Sequence, residues 1–588
     1  MGKDDPHCRN STQNKCKTID YALSQAKGDN ITLVFQSSPI QSLNYTLTSR
    51  FPRKDNKSLI LCLLKDNPHG MNPSIYGNAQ PFIHNWKGDL TVLIKAVNMV
   101  NISLLSISAA EGEISISITN SSIHMSHSNF ISVHEGNDLS INFQDCLLTS
   151  PYSYKGNEII IDEYSWLKVE INTNSISKIS INETKVRGGH FHFKNIASLR
   201  ILKCSIHNNI PTVACELYVD LKSVGIYRLF PVNFMQLYPK LLGRIVTLTP
   251  QPVVLITESV FNLENVDDFV FENCTVEQTI SKRILLMSKV NKGKIHNLHF
   301  IRNIHFLQAT EAAQSTIQYT EVKVQGSLTG SLSSGMIKGS KKSTITIKDL
   351  TIIKSKFGDT VFHIIEESSI LIERLKIDDL KNNGMKVFVI LDSTLTVIGL
   401  QINEFEGEKI VSSTRDTHRT TVTLVNIVIK ASTITSEYLT MHRTYFKLRK
   451  CNITDTNINT DIGDAFRLTK SSSVIENLII LGSSGKDLIL VSLGNIDITN
   501  LTVSSSRFER GFIFDRSKRT EVNVKNLKLL DTVFTSDVFR IFQSIVQLSY
   551  MRILRCHLSV YLIHSTDKFE ESFIPSWLKH RKKLNSLF

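Results

Sequence analysis

The chain has 588 residues, of which 67 are Lys or Arg and 54 Asp or Glu, giving a formal net charge of +13. Its basic residues are scattered and the one dense run is Lys579–Lys583, so the concentrated basic stripe expected of a nucleic-acid binder is missing. No stretch approaches the ~18 uninterrupted apolar residues of a membrane span, and MGKDDPHCRN at the start lacks both a signal peptide's apolar core and, because of Pro6, a myristoylation motif.

Residues 1–40 read as an N-terminal cap. Nine cysteines are an odd number, so at least one has no intramolecular partner. Cys8 and Cys16 lie in a polar stretch where a disulfide is expected only in an oxidising compartment. In residues 17–27, Ile19, Ala22, Leu23 and Ala26 share one helical face. Gly28-Asp29 then ends the helix, and ITLVF opens the first strand. A stack of parallel strands needs such a cover at its end. Ten Asn-x-Ser/Thr sequons, among them Asn44, Asn56, Asn101 and Asn182, give weak support to secretion, because Asn, Ser and Thr abound throughout.

From residue 41 to 565 one phrase returns. NIDITNLTV (495–503), TITIKDLTI (344–352), TEVNVKNLKL (520–529) and FVFENCTV (269–276) share the form apolar-x-apolar-x-x-(Leu or Cys)-x-apolar. Fainter copies are anchored at Val97, Ser121, Cys146, Thr184 and Cys204. The phrase then lapses over an irregular insertion around 207–265, which contains LFPVNFMQLYPKLLGR. It resumes at Cys274, Leu298, Val322, Leu350, Leu375, Leu400, Ile427, Cys451, Leu478, Leu501, Leu527 and Met551, in steps of 23 to 28 residues. A sustained period of this size means stacked repeats. Cys146, Cys204, Cys274 and Cys451 stand at the anchor level and read as small buried hydrophobes.

About twelve residues after each anchor comes a second phrase, such as TVFHII (360–365), DAFRLT (464–469) or DVFRIF (537–542). Both phrases alternate with period two and are rich in Ile, Val, Phe and Thr, which is strand character. The residue before the anchor is Asn at 273, 297, 426, 477, 500 and 526, Asp at 349 and Gly at 399. These types tolerate left-handed backbone angles, so each first phrase predicts two strands meeting at a tight bend. Three strands per coil of about 25 residues make an all-β, right-handed parallel β-helix. At roughly 4.8 Å per coil, about twenty coils would reach on the order of 100 Å. A leucine-rich repeat fits less well: the upstream Leu it needs is polar here (Lys342, Glu367, Asp392, Arg419, Lys470), and the second half of each repeat is a strand. Residues 566–588 form a basic tail.

KTIDYALSQAKGDNITLVF, with YTLTS at 45–49 and SIYGNA at 74–79, resembles the N-terminal helix and early coils of the pectin-lyase-like β-helix superfamily. The matching residues are Thr18, Ile19, Ala22, Leu23, Ala26, Gly28, Asp29, Ile31 and Leu33. The resemblance implies the fold. Its motifs are architectural, and the superfamily holds polysaccharide lyases and hydrolases beside non-enzymatic, adhesin-like and polymorphic-membrane-type surface proteins, so activity must be argued from a site.

Polygalacturonase chemistry would need an Asn-Thr-Asp, an Asp-Asp, a Gly-His-Gly and an Arg-x-Lys together. Asn459–Asp461 is followed by Asp464, but Gly-His-Gly is missing and the Asp-Asp pairs at 267–268 and 378–379 lie coils away. Asn459–Asp461 therefore reads as a polar loop. Aligning the second phrases gives an outward file His363, Val389, Val411, Thr440, Arg467, Leu490, Ile513, Arg540, Leu562. Two residues earlier stand Thr360, Lys386, Glu408, Glu437, Asp464, Asp487, Arg510 and Asp537. Glu408, Glu437, Asp464 and Asp487 would place four carboxylates on consecutive coils, where they must splay, protonate or share a cation. Such oxygens, with Arg467 beside them, could bind Ca²⁺ or a sugar, or act as acid and base on a glycosidic bond. Equally, acids are common where a turn enters a strand. His190 and His192 in GGHFHF share a side without an identifiable third ligand, and no cysteine pair has zinc-site spacing.

The expectation is a monomeric, non-enzymatic, extracellular or cell-surface protein that binds glycans or cell-surface proteins along its side wall. It has no cofactor, unless Ca²⁺ sits on the acidic column. A polysaccharide lyase or glycosidase, and a purely structural rod, are the alternatives.

Overall fold

The computed structural model describes residues 16–207 and 259–565, apart from short stretches of which 52–57, 161–167 and 414–419 are the longest. Among them the single helix is Ile19–Gln25, and the remaining regular structure is strand. The chain divides into two compact units, Met1–Lys338 with Ser343–Ile345, and Gly339–Lys342 with Thr346–Phe588.

Each unit is built of three-sided coils. In the second unit, Ser472–Leu481 supplies two sides bent at Asn477, and Ser484–Ser492 supplies the third. Left-handed residues mark all three corners: Asn477 at φ 58°, Gly482 at φ 58° and Leu493 at φ 59°. The next coil repeats the path through Asn495–Ser504 and Arg507–Asp515, with Ser472 opposite Asn495 and Ser484 opposite Arg507 in parallel register. The right-handed three-sided β-helix expected from the repeat is what the coordinates show. Every bend expected from the residue before the anchor is present, with φ between 47° and 80° at Asn273, Asn297, Asp349, Gly399, Asn426, Asn477, Asn500 and Asn526.

The anchors form an interior file. Leu375, Leu400, Ile427, Cys451, Leu478, Leu501, Leu527 and Met551 are successive partners, and the first seven are at most 4% exposed. Burying each such side chain is worth roughly 1.5–3 kcal/mol. In the first unit Val97, Ser121, Cys146, Thr184 and Cys204 are buried likewise. The four anchor cysteines are thiols. Identical rings also stack, as Phe512 on Phe539 with centroids 4.9 Å apart.

Between Cys204 and Cys274 the coil step lengthens: Ile206 faces Val276, 70 positions on. Residues 208–258, including 229–244, lie outside the described residues. Phe261–Glu277 begins inside the span 207–265 and is already a coil strand, with Phe261 opposite Phe191. At the other end of the first unit the helix is capped by Thr18, whose Oγ1 accepts from the Tyr21 amide at 3.2 Å. Ile19 and Leu23 are buried beneath it. The Asp20 carboxylate accepts the Thr48 amide at 3.1 Å, tying the helix to an early coil.

The corners carry a second device. A buried Ser, Thr or Cys follows the left-handed residue, accepts an amide from the preceding coil and donates to its own carbonyl two residues back. Ser483 Oγ accepts from Thr456 N (3.4 Å) and donates to Leu481 O (3.0 Å). Ser506 does the same for Ser483 N, at 3.2 Å. Cys274 Sγ takes Cys204 N at 3.2 Å and donates to Glu272 O. Ser483→Ala therefore strands a buried amide, and is expected to cost the second unit about 1–3 kcal/mol in chemical denaturation. Ser483→Cys is expected to cost less, and equal losses for the two variants would refute the relay.

Candidate functional site

The third side of the second unit carries the charged column. The register runs Thr360, Lys386, Lys409 and Glu437, then Asp464 on the coil directly after Glu437, Asp487 and Arg510. Lys409, not Glu408, stands in the file. Lys381 and Lys386 face Glu406 and Lys409, so the later coil is two residues shorter at this corner than the one before it, whereas setting Glu408 level with Lys386 requires three. A bulge follows, where Gly407 and Lys409 face Ile434 and Glu437. Gly407 has no room for a Cβ, which would lie 2.2 Å from the Phe405 ring. For the same reason Ser412 replaces Val411 in the outward file, and at its far end His564 replaces Leu562, so that it reads His363, Val389, Ser412, Thr440, Arg467, Leu490, Ile513, Arg540 and His564.

The expected run of four carboxylates is thus three, Glu437, Asp464 and Asp487, with Glu408 beside it. Each is held by a cation. Lys386 lies 3.2 Å from Asp359 and 3.3 Å from Glu408, and Lys409 bonds Glu437 at 2.5 Å. Arg467 reaches both Glu437 (3.4 Å) and Asp464 (2.9 Å). Arg510 grips both oxygens of Asp487, at 2.6 and 2.7 Å. Burial would raise the Glu437 carboxyl, but Lys409, Ser436 and Arg467 hold it below the ordinary range. Lys386 is raised by Asp359 and Glu408 against its burial.

Side-chain exposure is 5% for Glu437, 2% for Asp464 and 1% for Asp487, against 41% for Arg467 and 31% for Glu408. A glycosidic oxygen cannot enter between two carboxyls buried this deeply, and general acid–base work needs that approach. Oxygens already committed to ammonium and guanidinium groups would have to release them to ligate Ca²⁺. Of the four predicted carboxylates and Arg467, the two that are open to a ligand are Arg467 and Glu408.

His190 and His192 sit opposite Lys168 and Glu170. No group of three or more His, Cys, Asp or Glu placed to hold a metal occurs among the described residues. Asn459–Asp461 and Cys8 lie outside the described residues, while Cys16 is disulfide-bonded. Sequence reading missed a compact ion triad in the first unit: Glu311, 8% exposed, meets Arg283 and Lys338 at 2.5 and 2.9 Å. A Glu set between Thr310 and two alanines in the strand Thr310–Ala313 was the available signal.

No family model matches the chain, and no curated protein does. Among solved structures, PfbA, a surface adhesin of Streptococcus pneumoniae, is 11% identical with a TM-score of 0.18, covering 91% of this chain and 86% of that one. The PL6 family alginate lyase AlyGC is 8% identical with a TM-score of 0.16, covering 93% and 98%. A Yersinia enterocolitica family 28 exopolygalacturonase is 9% identical with a TM-score of 0.14, covering 76% and 72%. At these scores the likenesses carry no argument about activity, and the parallel β-helix stands on the chain's own strand pairing. No helix among the described residues is long and apolar enough to cross a membrane.

Asp464 is hydrogen-bonded to Asp487 on the next coil; burial, that bond and the neighbouring charge push Asp464 up to about 7 against the pull of Arg467. An unfolded Asp titrates near 4, so between about pH 4 and 7 the fold keeps a proton that the unfolded chain has released. This contribution to stability is full below pH 4 and declines as pH rises towards 7. Asp464→Asn mimics the protonated form at every pH. Its stability relative to wild type is expected to rise by on the order of 2 to 4 kcal/mol between pH 4 and 7, measured by denaturation at each pH. A pH-independent difference would show that no proton is shared.

Proposed function

We propose that this is a non-enzymatic, extracellular or cell-surface β-helix protein whose side wall binds polysaccharide, and that the binding wall is the first side of the second unit. One observation carries this reading. Thr394, Thr421, Tyr445, Ser472 and Asn495 are in-register partners on consecutive coils, and all are at least partly exposed. Beside them runs a second partnered file, Thr396, Thr423, Lys447, Val474, Asp497 and Asn523.

Repeated hydroxyls and amides about 4.8 Å apart, without a concentrated charge, offer alternating donors and acceptors to sugar hydroxyls. Tyr445, 49% exposed, adds an aromatic face with a polar tip. The closed ion pairing of the third side favours binding over cleavage, because its buried acids are committed to Lys409, Arg467 and Arg510. The disulfide at Cys16 agrees with an oxidising compartment.

The test is retention of the full chain on immobilised neutral and uronic-acid polysaccharides, with release of reducing ends followed with and without Ca²⁺. Retention without product is expected, and Tyr445→Ala is expected to weaken it about tenfold, equivalent to ~1.4 kcal/mol. Released product would favour the lyase or glycosidase reading, and no retention on any polymer would overturn the binding wall.

A further inference from the structure

Two of the buried anchor thiols in the first unit are neighbours. Leu202 faces Glu272 and Ser205 faces Thr275, so Cys204 and Cys274 stack at the same corner of consecutive coils. They are 3% and 2% exposed. The Cys204 amide donates to Cys274 Sγ at 3.2 Å, and the two thiols are hydrogen-bonded to one another. The other cysteines of the ladder have different partners: Cys62 lies between Thr32 and Leu93, and Cys451 between Ile427 and Leu478. Cys146 takes the hydroxyl of Thr184. Cys204 and Cys274 also stand at the two ends of the longest step in the repeat, 70 positions apart.

We propose that Cys204 and Cys274 are a redox pair that closes to a disulfide and staples the two coils across that step. Cα atoms on successive coils are about 4.8 Å apart, inside the roughly 4.4–6.8 Å that a disulfide spans. The reduced pair can give up its protons without stranding an acceptor. Cys204 Sγ donates to Leu202 O at 3.2 Å and Cys274 Sγ to Glu272 O at 3.1 Å. Those carbonyls already accept the Glu183 and Lys203 amides, each at 2.9 Å. The bond to Cys274 holds the Cys204 thiol below its ordinary value against burial, whereas burial and the same bond raise Cys274. Cys204 is therefore the attacking thiolate and Cys274 the sulfur attacked. The oxidant is a small disulfide, RSSR, of the glutathione class. It exchanges first with Cys274, leaving Cys274–S–SR and one RSH. Cys204 then displaces the second RS⁻, which takes up the Cys204 proton, so two electrons and two protons pass to RSSR. Because both sulfurs are buried in the finished coil, the exchange belongs to folding. The bond constrains the unfolded chain over a long loop, where a disulfide stabilises most. The disulfide at Cys16 fits the same oxidising conditions. The inference is independent of the glycan-binding reading.

In the test, the full chain is refolded in reduced and oxidised glutathione, denatured in N-ethylmaleimide without reductant, digested and mapped by mass spectrometry. The peptides holding Cys204 and Cys274 are expected to be joined, with Cys451 labelled as a free thiol. Labelling of both Cys204 and Cys274, or a bond from either to another cysteine, would overturn the proposal. The staple is read separately with Cys274→Ser, which keeps a hydroxyl for the Cys204 amide, as Ser483 does for Thr456. This variant also keeps the Cys16 disulfide, so the difference from wild type isolates the pair. Added reductant is expected to lower the wild-type folding equilibrium constant at least about tenfold more than that of the variant, in chemical denaturation. An equal response in the two proteins would refute the staple.

Discussion

A left-handed residue at each corner, with the next coil laid in exact register above it, is the constraint on which this structure rests. Every side of a coil satisfies its backbone through the coils before and after it, so the ladder is continuous only if all corners turn alike. The amide beyond each bend is directed inward, where a buried donor without an acceptor costs about 1–3 kcal/mol. Ser432, Thr456, Ser483 and Ser506 answer this cost at one corner of the second unit, each bonded back to its own chain. On the outside, the corner amides of Asn477, Asn500 and Asn526 are linked at 2.8 Å, which offsets part of the strain of their positive φ.

The same register dictates the electrostatics. Partners in successive coils stand about 4.8 Å apart, so acids on consecutive coils face one another whether or not that is favourable. The third side resolves this by interposing Lys409, Arg467 and Arg510, and by a proton between Asp464 and Asp487. Those charges are spent within the wall. On the first side, neutral Thr, Ser and Asn side chains stack without such repulsion: Asn495 accepts the Glu521 amide at 3.3 Å and Asn523 donates to Asp497 at 2.9 Å, while Thr394, Tyr445 and Ser472 are exposed.

Covering the ends follows from the same stacking. The first coil is closed by Ile19 and Leu23 of the helix and tied through Asp20 to Thr48. The last described coil has its interior aliphatics only half-buried. A coil has two faces of unpaired backbone, and the one without a successor must find another cover.

The amino-acid sequence by itself determined the coil, because period-two alternation, a repeat near 25 residues and Asn before the anchor are local signals that each coil restates. Leu375 through Met551 fell into one interior file as the pattern required. It showed one bend per coil, since only that corner favours Asn. The others are turned by such residues as Lys470, Leu493 and Arg443, whose types do not announce a positive φ. Only the tertiary structure decided the charged column. Whether Glu408 or Lys409 joins Glu437 depends on a corner two residues shorter and a bulge beside Gly407, and a slip of one residue moves a side chain to the opposite face of a strand.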